Sequence, residues 1–93
     1  MATFTVRIVL HDADSSEYTK LYEAMYNENF SDIISSDDGI NYNMPDGEYT
    51  ITGSFIKGEI LDKAKRAIKT TGVKGSVLVT ESKGRTWSNL DKV

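Results

Sequence analysis

The chain has 93 residues, 39% of them hydrophobic, and a formal net charge of -3, which suits one compact domain and excludes a second. It has no cysteine, so neither a disulfide framework nor a thiolate metal site can add stability, and a single apolar core in a reducing compartment is expected. Apolar runs such as Ile8-Val9-Leu10 fall far short of the roughly 20 residues of a membrane helix, and no basic segment followed by an apolar stretch marks a secretion signal; the simplest expectation is a soluble cytoplasmic protein with no membrane partner.

In chain order, Thr3 to Leu10 is rich in β-branched residues and sets Phe4, Val6, Ile8 and Leu10 on one face at period two, the pattern of a half-buried strand. Asp14 or Ser15 can cap a following helix, with Glu17 completing a capping box. Tyr18, Leu21, Tyr22 and Met25 then recur at helical spacing as one buried stripe. Asn27 to Asn29 ends that helix, and Phe30 is expected to pack under its last turn as the chain reverses. Ile33-Ile34 with flanking serines predicts a short second strand, followed by turn chemistry at Asp37-Asp38-Gly39 and Met44-Pro45-Asp46-Gly47.

Tyr49, Ile51, Gly53 and Phe55 alternate with Thr50, Thr52 and Ser54, predicting a third strand with one apolar and one hydroxyl-bearing face. Ile60, Leu61, Ala64, Ala67 and Ile68 form the stripe of a second helix closed by Gly72, and Gly75 to Thr80 reads as a fourth strand. The order βαββαβ predicts an α+β, ferredoxin-like fold: a four-stranded antiparallel sheet, strands one and three central, with two helices on one face. Residues 1–82 form this domain, and 83–93 are a tail expected to pack on the sheet or a partner.

Charge is divided along the chain. Residues 1–56 hold ten acidic and two basic residues, whereas residues 57–93 hold four acidic and nine basic. The basic half could attract phosphates, and it could equally be a solvated helix face and tail. Lys57, Lys65, Arg66, Lys69, Lys83 and Arg85 are the candidate RNA contacts. An RNA-recognition module of this topology stacks bases on aromatic side chains of its open sheet face, yet the corresponding positions here are Thr5, Arg7, Val9, Thr50, Thr52 and Ser54. Such a face could instead be covered by the tail or by a second subunit, as in a homodimer whose sheets pack together.

Acid–base chemistry of any kind needs a positioned proton acceptor and a positioned proton donor. His11, the only histidine, and Asp12 follow directly on the first strand, where titration near neutrality is available. Asp12 and Asp14 could bind magnesium through their carboxylates, although capping alone accounts for Asp14, and no clear metal motif exists. Asp37-Asp38-Gly39 lacks the alternating ligands of a calcium loop and reads as a turn. Tyr18, Tyr22 and Tyr26 are read as core or core-margin residues, with RNA stacking as the alternative for the outermost. Trp87 either anchors the tail or stacks on a nucleotide.

The pattern Met25-Tyr26-x-x-Asn29-Phe30-Ser31-x-Ile33, then Gly39-Ile40, Ile51-Thr52 and Ile60, resembles the central segment of the GhoS family, endoribonuclease antitoxins of type V toxin-antitoxin systems. The resemblance is clearest from about Leu21 to Ile60. It implies a small bacterial ferredoxin-like protein, with no DNA partner, that cleaves the mRNA of a small membrane-active toxin without a tightly bound cofactor. A member of that family carries two arginines in its first helix, and the matching positions here are Lys20 and Tyr22. Lys20 thus keeps one cation, as a point charge without the bidentate fork of arginine. It joins His11 and Asp12 as a catalytic candidate. The alternative is a non-catalytic RNA-binding or protein-interaction module of the same fold.

Overall fold

Alternation along the first strand organises the molecule. In a computed structural model that describes all 93 residues, β1 (Ala2–Leu10) buries Phe4, Val6, Ile8 and Leu10 almost completely. Both helices pack on that one face. The stripe Leu21 and Met25 of α1 (Ser15–Asn27) and the stripe Ile60, Ala64, Ala67 and Ile68 of α2 (Lys57–Thr71) join the β1 side chains in a single core cluster. Burying each large apolar side chain contributes about 1.5–3 kcal/mol, so this packing is the main source of stability.

The helices begin and end where local chemistry directs. Asp14 is the N-cap of α1, its carboxylate accepting from the Ser16 and Glu17 amides while Glu17 accepts from the Asp14 amide. Those bonds hold the Asp14 carboxyl below its ordinary value, the Ser16 hydroxyl and amide being the strongest influences. After α1, Asn29 takes a left-handed φ of 72°, and Phe30 folds back into the core with its amide on the Met25 carbonyl. Glu28, at the C-cap, ties the helices together: Arg66 donates to both of its carboxylate oxygens at 3.2 Å, and Lys63 donates to its carbonyl at 3.1 Å. The Arg66 hydrogen bonds hold the Glu28 carboxyl below its usual range.

The sheet differs from the expected single four-stranded one. It has three strands in the order β4-β1-β5, all antiparallel, where β4 (Glu48–Gly53) and β5 (Gly75–Ser82) are the third and fourth strands expected from sequence. The expected second strand meets β4 only at the Ser31–Thr50 bridge. Its chain then turns away, with the Ser31 hydroxyl accepting from the Ile33 amide and the Met44 amide donating to the Asp32 carbonyl. The remainder, β2 (Ile33–Ser35), pairs instead with β3 (Asn41–Asn43) in a separate hairpin. The physical reason is local: the Ser31 side chain and the Met44–Asp32 bond turn the segment after one pair, and β3 offers it a partner.

The tail returns to this hairpin. The Asn43 amide donates to the Asp91 carbonyl and the Val93 amide to the Asn41 carbonyl, while Trp87 packs edge-on against Tyr42 with ring centroids 5.6 Å apart. Ile34 and Met44 are buried outside the main cluster. No helix is long and apolar enough to cross a membrane.

One glycine is fixed by a close approach. Gly47 has φ +78°, its carbonyl accepts from the Ile8 amide at 2.8 Å, and a Cβ placed there would sit 2.5 Å from the Ile8 carbonyl oxygen. Neither backbone can give way, because Ile8 is held in the centre of the sheet. Gly47→Ala is expected to cost about 2–3 kcal/mol, read as a lower urea midpoint with an unchanged slope; an unaltered midpoint would contradict this account.

Candidate nucleic-acid interface

Because β1 commits alternate residues to the core, the others are delivered to the opposite face. The strand register then builds that face row by row. Thr52, Thr3 and Ser82 form one row, and Thr50, Thr5 and Thr80 the next; Glu48, Arg7 and Leu78 follow, then Val9 and Ser76. His11 continues the same alternation one residue beyond β1. Its Nε2 lies 2.9 Å from the Ser76 hydroxyl, and its amide donates to the Lys74 carbonyl. From Thr5 to His11 the track runs about 20 Å at the usual strand rise.

The tail contributes the key cation. Arg85 Nη1 donates to Thr5 Oγ1 at 3.1 Å and to Thr50 Oγ1 at 3.0 Å, so the guanidinium bridges β1 and β4 from above the open face. The hydroxyls are themselves positioned: Thr50 Oγ1 donates to the Phe4 carbonyl, and Thr5 pairs with the Ser82 hydroxyl. Partial burial draws the Arg85 guanidinium below its ordinary pKa, but arginine remains charged at neutral pH. Only one of its nitrogens is committed, so the rest of the planar fork can meet a phosphate. Lys83 and Arg85 line a cavity of about 510 Å³ with Thr3, Ser36 and Thr86, and a second of about 570 Å³ that reaches Thr5 and Thr80.

The remaining candidates are spread over the molecule. Asp12 lies beside His11 with a left-handed φ of 53°, exposed and without a hydrogen bond. Lys20 stands instead in a groove between α1 and α2, with Glu23, Asn27, Glu28, Arg66 and Thr70. Arg66 is committed to Glu28, whereas Lys57, Lys65 and Lys69 are exposed on α2 and form no ion pair. Asp14 is occupied by its cap, and no three His, Asp or Glu side chains come together to hold a metal ion. The open face therefore gathers His11, Lys83 and Arg85, with Asp12 next to His11 in the chain; the helix layer carries Lys20, Lys57, Lys65, Arg66 and Lys69.

Two further cations belong to the open face: the sequence places Arg7 there without marking it as an RNA contact, and it does not mark Lys74. Arg7 is exposed in its centre without a salt bridge, and Lys74 adjoins His11. The period-two phase that places Arg7, Val9 and His11 together was the available signal.

The family model for endoribonuclease GhoS matches residues 1–83. The chain belongs to the GhoS endoribonuclease family. No curated protein matches the chain. The GhoS match covers every helix and strand described above, along with His11, Arg7 and Lys83, while Arg85 and Trp87 lie beyond it.

If the open face holds RNA phosphates, Arg85→Ala should weaken binding of single-stranded RNA and reduce the slope of log K against log salt by about 0.7 for each phosphate no longer neutralised. Fluorescence anisotropy at several salt concentrations measures both. An unchanged affinity and slope would remove Arg85 from the interface.

Proposed function

We propose that this GhoS-family protein cleaves single-stranded RNA laid along the open sheet face, and that its target is the mRNA of a small membrane-active toxin, making it the antitoxin of a type V system. The observation that carries the location is the Arg85 guanidinium suspended over Thr5 and Thr50 at one end of a track whose other end is His11. The toxin target rests on the resemblance in the central segment. Arg7, Lys83 and Arg85 hold successive phosphates, and exposed Val9 and Leu78 give bases an apolar surface in place of aromatic stacking.

In this reading the 2′-oxygen attacks the adjacent phosphorus, forming the O2′–P bond as the P–O5′ bond breaks. His11 takes the 2′-hydroxyl proton, and the departing O5′ takes a proton from solvent water to leave as the 5′-hydroxyl. In the tautomer that donates Nε2–H to Ser76, Nδ1, which has no partner within the chain, is left as the base. Asp12, next in the chain, steadies the imidazolium that forms. Lys74 offsets the charge that develops on the phosphoryl oxygens. No step requires a cofactor, and chelation is expected to leave cleavage intact.

The α1–α2 groove supports a second location, because it places Lys20 beside Arg66, Asn27 and Thr70. Cleavage assays on the transcript of a neighbouring small membrane-protein gene separate the two. His11→Gln, which can keep a hydrogen bond to Ser76, is expected to lower the cleavage rate by about 10²–10⁴ while RNA binding persists, and Lys20→Ala is expected to cleave normally. The reverse pattern would move the site to the helix groove. Binding without cleavage by the unaltered protein would leave only the non-catalytic module.

A further inference from the structure

Trp87 stands out in the sequence, yet the proposed cleavage leaves it unused. It borders both cavities at the tail, of about 510 and 570 Å³, as do Lys83, Arg85 and the buried Ile34. The smaller cavity lies between the tail and hairpin residues 34–37, and it carries two cations against one carboxylate, that of exposed Asp37. Thr3 lines it as well, so the open-face track continues past Thr5 into it. The indole is only half-buried, and its contact with Tyr42 is T-shaped, with ring planes 67° apart. A contact of that kind occupies at most one face of the indole, so ring surface is left for the cavities it borders. Arg85 is the second, independent feature. Two threonine hydroxyls fix its position while Nε and Nη2 make no hydrogen bond within the chain. Two positions separate it from Trp87, which holds their Cα atoms within about 7 Å of each other. An aromatic surface and an unspent guanidinium at that separation match the two parts of one nucleotide, its flat base and its phosphate.

We infer that the smaller cavity holds one nucleotide at the end of the RNA track, its base stacked on Trp87 and its phosphate on Arg85. The inference rests on the placement of RNA along the open face. Every base has a π face, so stacking anchors the strand without selecting its sequence. The base is uncharged, and Asp37 therefore does not oppose it. Trp87 has two tasks in this account: its contact with Tyr42 holds the tail to the hairpin, and its remaining ring surface takes the base. Arg85 and Trp87 both lie beyond residues 1–83, so the match to the GhoS family does not carry this site.

The test compares two 2′-O-methyl hexamers, which lack the attacking hydroxyl: hexaadenylate and the same sugar–phosphate chain without bases. Both are measured at low salt, where phosphate contacts are strongest. Trp87 is the only tryptophan, so its emission reads this cavity, while the anisotropy of an end-labelled probe reads binding anywhere on the protein. Hexaadenylate should quench the emission far more than the abasic chain does. Trp87→Leu should lower the affinity for hexaadenylate about tenfold more than that for the abasic chain, and Trp87→Tyr, which keeps a stacking ring, should restore most of that difference. If Trp87 only anchors the tail, its replacement removes the same cation contacts from both probes and weakens them equally. Equal loss, no loss, or binding of hexaadenylate without quenching would overturn the base site while leaving the RNA track standing. Failure of both probes to bind the unaltered protein would overturn the track and the base site together.

Discussion

Everything in this molecule depends on the two-sidedness of β1. Its apolar residues sit under both helices, and β4 and β5 pair along its edges, so the strand cannot slip by one residue without exchanging core for surface. That constraint fixes the other face as well. Thr3, Thr5, Arg7, Val9 and His11 are held in line because Phe4, Val6, Ile8 and Leu10 are buried. The proposed RNA track is therefore held by the core beneath it.

The divided charge of the chain acquires a spatial meaning. Part of the basic second half is used internally, since Arg66 and Lys63 clamp Glu28 and fasten α2 to the end of α1. Another part is carried over the sheet by the tail, which the hairpin and the Trp87–Tyr42 contact hold in place. The fourth strand of a full sheet would have occupied the β4 edge. Its departure after the Ser31–Thr50 bridge frees the hairpin to grip the tail.

Features set by local pattern were legible in the sequence. The alternation of β1, the stripes of α1 and α2, the Asp14 cap and the inward turn at Phe30 all involve residues a few positions apart. Features set by distant partners were not. The short β3 is Asn-Tyr-Asn, with no period to mark it, and it exists because β2 and the tail pair with it. Arg66 looks like any exposed helix cation until Glu28, 38 positions away, is brought beside it. Arg85 reads as a free tail charge until Thr5 and Thr50 meet beneath it. The GhoS resemblance was legible in the central segment, but the residues on the open face lie largely outside that segment, so the site had to come from geometry.

The central claim is that RNA occupies the open sheet face and not the helix layer. Amide chemical-shift mapping with a non-cleavable single-stranded RNA tests it most directly. The account predicts that shifts concentrate at Thr5, Arg7, Val9, His11, Thr50, Ser76 and Arg85, with α2 undisturbed. Shifts confined to Lys20, Arg66, Lys69 and their neighbours, with β1 silent, would contradict it.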